Sequence, residues 1–258
     1  MRVSVTGLLG GHSGSDINLG RANANKVIAR FIWECSQSWD ITVCSFEGGN
    51  LRNAIPREAN AVFGIHSDHK EAMMHHLNKY AAEIRNEYSG VEPSMDLRIE
   101  EYDRPEFCMD SETSIALIRA IYSAPHGVYS MSRDIEGLVE TSTNLASVKL
   151  VGDDKVVVTT SQRSSVESRK NDMAGQVEAH FQLAGAEVTH SDGYPGWAPN
   201  MNSEIMKITA EAYDELFGKK PAIKAIHAGL ECGLFLAKYP NLDMVSFGPT
   251  MTGVHSPD

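Results

Sequence analysis

Hydrophobic and polar positions alternate in six segments of the chain, which predicts six β-strands. These segments are 2–9, 41–46, 59–66, 94–102, 141–151 and 155–161. Apolar residues elsewhere recur every three or four positions, which predicts helices. The helical segments are 77–88, 173–184, 205–216 and 231–238. Two further short strands are expected, at 222–226 and at 242–248. The pattern as a whole predicts a mixed α and β fold.

Two stretches of the chain, 41–88 and 141–184, share one order of predicted elements. Each has a strand, a turn, a second strand and a long amphipathic helix, and Gly152 in the second turn favours a hairpin. Similarity of this kind suggests two subdomains related by duplication. Because β-β-α units are common, the same order also arises without duplication.

Composition narrows the range of partners. The chain has 258 residues, a formal net charge of −11 and 42% hydrophobic residues, which is enough for a buried core. Duplex nucleic acid and anionic membranes are bound by clusters of Lys and Arg, so this acidic chain is expected to bind neither. Four scattered cysteines without a CxxC pair indicate reduced thiols and a cytoplasmic protein.

The pattern changes near residue 192. The string DGYPGWAPN is predicted to be an irregular loop, because it combines proline, glycine and aromatic residues. The helices and short strands that follow are too few to bury both faces of a parallel sheet. We therefore expect this segment to need strands from elsewhere.

Two histidines are candidates for chemistry. His12 lies in the string GGHSGSD, between a strand and a helix whose start Ser15 or Asp16 is expected to cap, and the flanking glycines allow a ligand to approach closely. His255 follows an apolar segment and a Gly-Pro loop, a place that suits a metal ligand. The alternatives are an ordinary turn histidine and a surface histidine, and one histidine does not make a metal site.

Other polar residues follow the two central strands or open the last helix. Arg163, with Arg169 nearby, suits a substrate carboxylate, and Asn144 is able to donate an N–H group to an oxyanion. Glu231 is able to bind a substrate amine. The simpler alternatives are a solvated arginine, a strand-end amide and an acidic residue that complements a helix dipole.

Seven strings in a fixed order carry a family resemblance. They are GLLGGHSGSDINLGRANANK, GGNLRNAIPREA, ETSTNLASV, QRSSVESR, DGYPGWAPN, AIHAGLECGLF and SFGPTMTGVHSPD. Together they resemble the aminoacyl-histidine dipeptidases (Xaa-His dipeptidases, peptidase D), a branch of the M20 metallopeptidases. The resemblance covers essentially the whole chain.

The resemblance implies a two-zinc hydrolase of unblocked dipeptides, often Xaa-His such as carnosine, with cobalt or manganese as possible substitutes. It implies α/β and α+β architecture: a ferredoxin-like, possibly duplicated lid and dimerisation domain in residues 1–190, and the C-terminal portion of a zinc-peptidase α/β catalytic domain in 191–258. By the same resemblance, the protein is expected to form a homodimer through the lid.

The resemblance also assigns roles to single residues. His12 matches the lid histidine that stabilises the oxyanion of the scissile carbonyl. His255 matches the last zinc ligand. The positions that match substrate contacts are Asn144, Arg163, Glu231 and Gly248.

One part of the family pattern is absent. The HxD motif, bridging aspartate and Glu-Glu pair of the family all precede the lid, and we expect none of them in this chain. Glu100 and Glu101 form an adjacent pair, but on a predicted strand they point to opposite faces. We therefore expect this chain alone to be inactive and to bind zinc incompletely. The alternative hypothesis is a non-catalytic lid or dimerisation module that pairs through an exposed strand edge.

Overall fold

The computed structural model describes residues 1–152, 155–225, 227 and 231–248. Nine strands and six helices lie within these ranges. The strands are β1 Arg2–Thr6, β2 Gly11–His12, β3 Thr42–Gly48, β4 Ala54–Ile55, β5 Ala59–Gly64, β6 Asp96–Glu100, β7 Gly127–Met131, β8 Val139–Val151 and β9 Lys155–Ser164. The helices are α1 Ala24–Ser36, α2 Lys70–Glu87, α3 Ser111–Ser123, α4 Glu167–Leu183, α5 Glu204–Phe217 and α6 Glu231–Lys238.

The first hundred residues form a ferredoxin-like unit, the fold that the family resemblance implies for the lid. The elements β1, α1, β3, β5, α2 and β6 follow one another in the order βαββαβ. The four strands lie side by side in the order β6-β1-β5-β3, and every neighbouring pair is antiparallel. The small ribbon of β2 and β4 is an insertion into this unit.

The sheet continues into the second half of the chain. Strand β8 meets β3 where Gly48 pairs with Val148, and it pairs with β7 and, from Thr141 to Val151, with β9. The elements α3, β8, β9 and α4 repeat the order of α1, β3, β5 and α2. The two stretches of similar sequence pattern therefore have the same element order, but they share one seven-stranded sheet instead of forming two separate sheets.

Helices α1 to α4 pack with the sheet around one hydrophobic core. Phe31 of α1, Tyr80 of α2, Ile121 of α3 and Phe181 of α4 all belong to this cluster. Val3 and Val5 also lie in it, whereas Arg2 and Ser4 are only half-buried, as the alternation of strand residues predicts. Burial of these side chains is the main stabilising contribution to the fold.

All six predicted central strands are present, with ends that shift by a few residues. Strand β7 and helix α3 were not predicted. The strands predicted at 222–226 and 242–248 are wrong for the described residues 222–225 and 242–248, which form no strand and bury no side chain. A strand needs a neighbour for its backbone groups, and no described strand lies beside these segments.

The start of α1 also differs from the prediction. Asn23 caps the helix, because its side chain accepts hydrogen bonds from the backbone N–H groups of Asn25 and Lys26. Asp16 instead accepts the backbone N–H of His12 at 2.9 Å and lies 3.6 Å from Arg21. The predicted cap at Ser15 or Asp16 is therefore wrong, since Asp16 holds the loop that precedes the helix.

The expectation of four free thiols is wrong for one pair. Cys44 and Cys108 form a disulfide across 64 positions of sequence. A bulge in β3 and a backbone hydrogen bond of 2.8 Å from Met109 to Val43 bring the loop before α3 onto this strand. Cys35 is a free, buried thiol whose pKa is raised to about 12, chiefly by burial.

The segment after α4 has almost no core of its own. Helix α5 has apolar residues along one side, yet none of its side chains is buried. Leu216 and Phe217 are 77% and 62% exposed, and Phe247 is 83% exposed. The predicted irregular loop 192–200 is confirmed, and Glu167 holds it by accepting the N–H of Gly196 at 2.7 Å. None of the helices in the described chain combines the length and apolar character needed to cross a membrane.

Candidate active site on the polar face of the sheet

The predicted site begins with the ribbon of β2 and β4. His12 pairs with Ala54 across this ribbon, and the next residue, Ser13, donates its backbone N–H to Asn53 at 2.8 Å. Asn144 of β8 donates its side-chain amide to the carbonyl oxygen of Ala54, also at 2.8 Å. These contacts fix the His12 loop on the part of the sheet that β8 and β9 form.

The His12 ring has a defined tautomer. Its Nδ1 atom lies 3.2 Å from the backbone nitrogens of Gly14 and Ser15, both of which donate to it. Because Nδ1 accepts these hydrogen bonds, the proton of the neutral ring is on Nε2. His12 is therefore built as an N–H donor through Nε2, which is the chemistry that a developing oxyanion requires.

Arg163 lies on β9 directly opposite Ser142 of β8. Its Nε is 3.3 Å from Ser13 Oγ, which places the guanidinium beside the His12 loop. Burial lowers the pKa of Arg163 from its ordinary value, and the nearby positive charge of Arg52 lowers it further. No carboxylate in the described part of the chain forms an ion pair with this half-buried cation.

The second candidate arginine, Arg169, has a structural partner. Arg169 Nη1 lies 3.1 Å from a carboxylate oxygen of Glu140, and it is 3.4 Å from Ser130 Oγ. The two arginines therefore differ: Arg169 is paired with a carboxylate, whereas Arg163 has no described carboxylate partner and is affected by the charge of Arg52. Only Arg163 has the environment of an anion-binding group.

Asn144 is almost completely buried, at 1% exposure. Its Nδ2 donates to the carbonyl of Ala54 and lies 3.5 Å from that of Arg52. Its Oδ1 has no hydrogen-bond partner among the described residues. The predicted donor group is thus used by the protein itself, and the acceptor atom is buried without a described partner.

His227 is the residue that sequence reasoning missed. Its side chain is buried, and its Nε2 lies 2.7 Å from Ser142 Oγ. Burial, followed by the charge of Arg163, lowers the pKa of His227 to about 4, so its ring is neutral near pH 7. Ser142 lies 85 residues earlier in the chain, and nothing in the local pattern around His227 indicates this contact.

A buried polar layer supports β8 beneath these residues. Asn23 Nδ2 donates to the carbonyl of Leu145 at 2.9 Å, and the N–H of Leu145 lies 3.3 Å from His126 Nδ1. Burial, with a smaller effect from Lys26, lowers the pKa of His126 to about 4. This layer positions the strand next to Asn144.

The described structure does not test three of the predicted site residues. Glu231 begins α6, but its side chain lies outside the described residues, and so does the whole of His255. Gly248 is exposed, and no described atom lies within 4 Å of the position of an added Cβ. The structure brings together His12, Asn144 and Arg163, and it does not test the other three.

A zinc site cannot be assembled from the described residues. No group of three or more His, Cys, Asp or Glu side chains among them is arranged to hold a metal ion. Two strings do have the HxD composition, at 66–68 and 190–192. The exposed His66 ring lies 3.5 Å from the carboxylate of Asp68 and also near the ring of His69, and His190 contacts Glu178. Neither string forms part of a metal-binding group in the described chain.

A cavity of about 1040 Å³ lies elsewhere, between the loop before α3 and the end of α4. Its lining is largely apolar and includes the Cys44–Cys108 disulfide, Phe107 and Phe181. None of the predicted site residues lines this cavity. The candidate active site is therefore defined by convergent polar groups and not by this cavity.

Comparison with known proteins defines the class of domain. Residues 3–92 match the M20-type peptidase dimerisation domain, and this range contains β1 to α2 of the ferredoxin-like unit.

Individual relatives extend the match to the whole chain. The chain is 38% identical over 257 residues to the cytosol non-specific dipeptidase of Escherichia coli (strain K12), an alignment that takes in 100% of this chain and 53% of that protein. The crystal structure of aminoacylhistidine dipeptidase from Vibrio alginolyticus matches with a TM-score of 0.90 and 40% identity, over 100% of this chain and 52% of that one. The resemblance to the M20 dipeptidases is thereby confirmed, and the chain spans about half the length of these relatives.

Proposed function

We propose that the chain supplies the lid and dimerisation domain, residues 1–190, and the C-terminal portion of the catalytic domain, residues 191–258, of an M20 dipeptidase. The contrast in burial supports this division. Helices α1 to α4 contribute to one core, whereas α5 buries none of its side chains. An amphipathic helix of this kind normally packs against further chain, and the relatives are about twice as long as this chain.

The proposed substrates are unblocked dipeptides, often Xaa-His such as carnosine. The observation that carries this proposal is Arg163, a half-buried cation without a described carboxylate partner, held beside His12 through Ser13. In the proposed mechanism its guanidinium binds the C-terminal carboxylate of the peptide. His12 Nε2–H donates to the scissile carbonyl oxygen and stabilises it as negative charge develops there.

Further contacts complete the proposed substrate site. Asn144 contacts the substrate as the family resemblance implies, Glu231 lies near the free amino group, and the Gly248 loop approaches the peptide backbone. Glu231 and Gly248 rest on the family resemblance alone.

The proposed cofactor is zinc, two ions per intact site, with cobalt or manganese as substitutes. A bound metal of this kind would activate water for attack on the peptide. His255 is the one proposed ligand in this chain, and the described residues do not form the rest of the site. The proposal therefore includes that the chain alone binds zinc poorly and has no dipeptidase activity.

The proposed assembly is a cytoplasmic homodimer formed through the lid. The match to a dimerisation domain supports this, and so does the outer edge of β6, which pairs with no other described strand. A module without any part in catalysis is the less favoured alternative, because the similarity to dipeptidases extends beyond the dimerisation domain over the whole chain. Nucleic acid and membranes are not proposed as partners of this acidic chain.

A binding experiment on the chain itself tests the substrate site. With ¹⁵N-labelled arginine, the side-chain Nε–H signal of Arg163 is followed while β-Ala-His or its C-terminal amide is added. We expect the dipeptide to bind at least about tenfold more tightly than the amide, because only the dipeptide offers a carboxylate. The signal of exposed Arg133 serves as the control. Equal affinities, or no binding of either compound, would remove the proposed role of Arg163.

A further inference from the structure

His227 joins two parts of the candidate site that come from distant parts of the sequence. Its imidazole Nε2 lies 2.7 Å from Ser142 Oγ on strand β8. Its carbonyl oxygen lies against the His12 loop, since a Cβ added to Gly14 would come within 2.3 Å of it and within 3.0 Å of the His12 ring. One residue of the segment after α5 therefore touches both sides of the site.

The contact with Ser142 leads directly to Arg163. Ser142 and Arg163 are opposite each other on neighbouring antiparallel strands, and Asn144 follows two positions later on the same face of β8. The charge of Arg163 also acts on the His227 ring. A displacement of His227 therefore reaches Arg163, the proposed carboxylate-binding residue, through the side chain of Ser142.

His227 is not itself suited to contact a substrate. Only 7% of its surface is exposed, and its Nε2 is already bound to Ser142. Its neutral ring adds no positive charge to a site that already contains Arg163 and Arg52. Its effect on ligand binding therefore has to pass through the residues that it touches.

We propose that His227 is a positioning residue, which fixes the separation between Arg163 and His12 by binding Ser142 with its side chain and packing its backbone on the His12 loop. This inference rests on the proposed function, because it concerns the site that binds the dipeptide. It names a residue that determines specificity. The distance between the groups that bind the substrate carboxylate and the scissile carbonyl depends on His227, and so does the preference for a free dipeptide over its amide.

The test uses the same chain and the same two probes, β-Ala-His and its C-terminal amide. The variants are His227→Ala, His227→Gln and, as a matched control, His75→Ala on the exposed side of α2. Glutamine places a hydrogen-bonding group near the position of Nε2, so it is expected to retain the bond to Ser142.

We expect His227→Ala to bind the dipeptide about fivefold more weakly, the effect of one neutral hydrogen bond, while its affinity for the amide stays unchanged. His227→Gln and His75→Ala should bind both probes like the unaltered chain. Three results would each overturn the inference: an unchanged preference in His227→Ala, an equal loss for both probes, or no rescue by glutamine.

The two proposals fail in different ways in this experiment. If the unaltered chain does not distinguish the dipeptide from its amide, the proposed function of Arg163 is wrong. If the unaltered chain distinguishes them and His227→Ala does so equally well, only the positioning role of His227 is wrong.

Discussion

Asn144 donates its side-chain amide to the carbonyl oxygen of Ala54 at 2.8 Å, and Ala54 is the residue that pairs with His12. A residue expected to contact substrate therefore also fixes the loop that carries the proposed oxyanion donor. The side-chain amide of Asn144 is oriented by the backbone carbonyl oxygens of Ala54 and Arg52, which both need a hydrogen-bond donor.

This contact predicts that Asn144→Asp destabilises the chain. A carboxylate has no donor for the carbonyl of Ala54 and would place a buried negative charge beside it, so we expect a loss of about 2 kcal/mol or more in the free energy of unfolding. Denaturant unfolding measures this loss. Asn78→Asp, at an exposed position of α2, is the control and should change stability little. Equal stability of both variants would contradict the assigned contact.

The planar guanidinium of Arg163 predicts that lysine cannot replace it in carboxylate binding. Arg163→Lys keeps the positive charge but loses the planar pair of donors that matches a carboxylate. We expect β-Ala-His to bind this variant about tenfold more weakly than the unaltered chain, as measured by isothermal titration calorimetry. Arg133→Lys, at an exposed position, should bind normally. Normal binding by Arg163→Lys would mean that charge alone determines recognition.

Two neutral histidines predict an acid-sensitive fold. Burial lowers the pKa of His126 and of His227 from 6.5 to about 4. Between these values the unfolded chain binds protons that the folded chain does not, so stability is fully present above about pH 6.5 and is lost as the pH falls towards 4. The free energy of unfolding, measured across this window, should fall with decreasing pH. The double variant His126→Gln/His227→Gln should have a flatter profile, and an unchanged slope would contradict the assignment.

A half-buried lysine joins α1 to the end of α3, and its removal should lower stability. Lys26 Nζ donates to the carbonyl oxygens of Ile121 at 3.2 Å and Ala124 at 2.8 Å, and to that of Tyr122, at the end of α3. Lys26→Met leaves these groups without a donor and should cost about 2 kcal/mol of unfolding free energy.

The control for this change is Lys79→Met, which removes an exposed lysine that pairs only with Glu83. Exposed pairs of this kind contribute little, so its stability should be close to that of the unaltered chain. Thermal unfolding of both variants gives the comparison. A similar loss in both would show that the bonds from Lys26 to the end of α3 add nothing.

The sheet was predictable from the sequence because its strands alternate over a half-buried surface. Val3 and Val5 of β1, on either side of half-buried Ser4, show this period directly. Strand β7 was missed because it buries none of its five residues, so it has no comparable pattern. The strand predicted at 242–248 failed for the opposite reason: it has apolar residues, but no described strand lies beside it and none of its residues is buried.

The sequence predicted only those site residues whose type and neighbouring residues indicate a chemical role. His12 between glycines and Arg163 at the end of a strand stand out in the sequence, and the structure brings them to either side of Ser13. Contacts over long sequence separations do not stand out. Only the tertiary fold brings His227 to Ser142 and Cys44 to Cys108, because these residues are far apart in the sequence.

The most direct test of the central claim is the turnover of β-Ala-His in the presence of zinc. It is measured for this chain alone and for this chain mixed with the part of the Escherichia coli dipeptidase that lies outside the alignment. Our account predicts no hydrolysis by the chain alone and zinc-dependent hydrolysis by the mixture, which Arg163→Ala in this chain should greatly reduce. Zinc-dependent hydrolysis by the chain alone would contradict it.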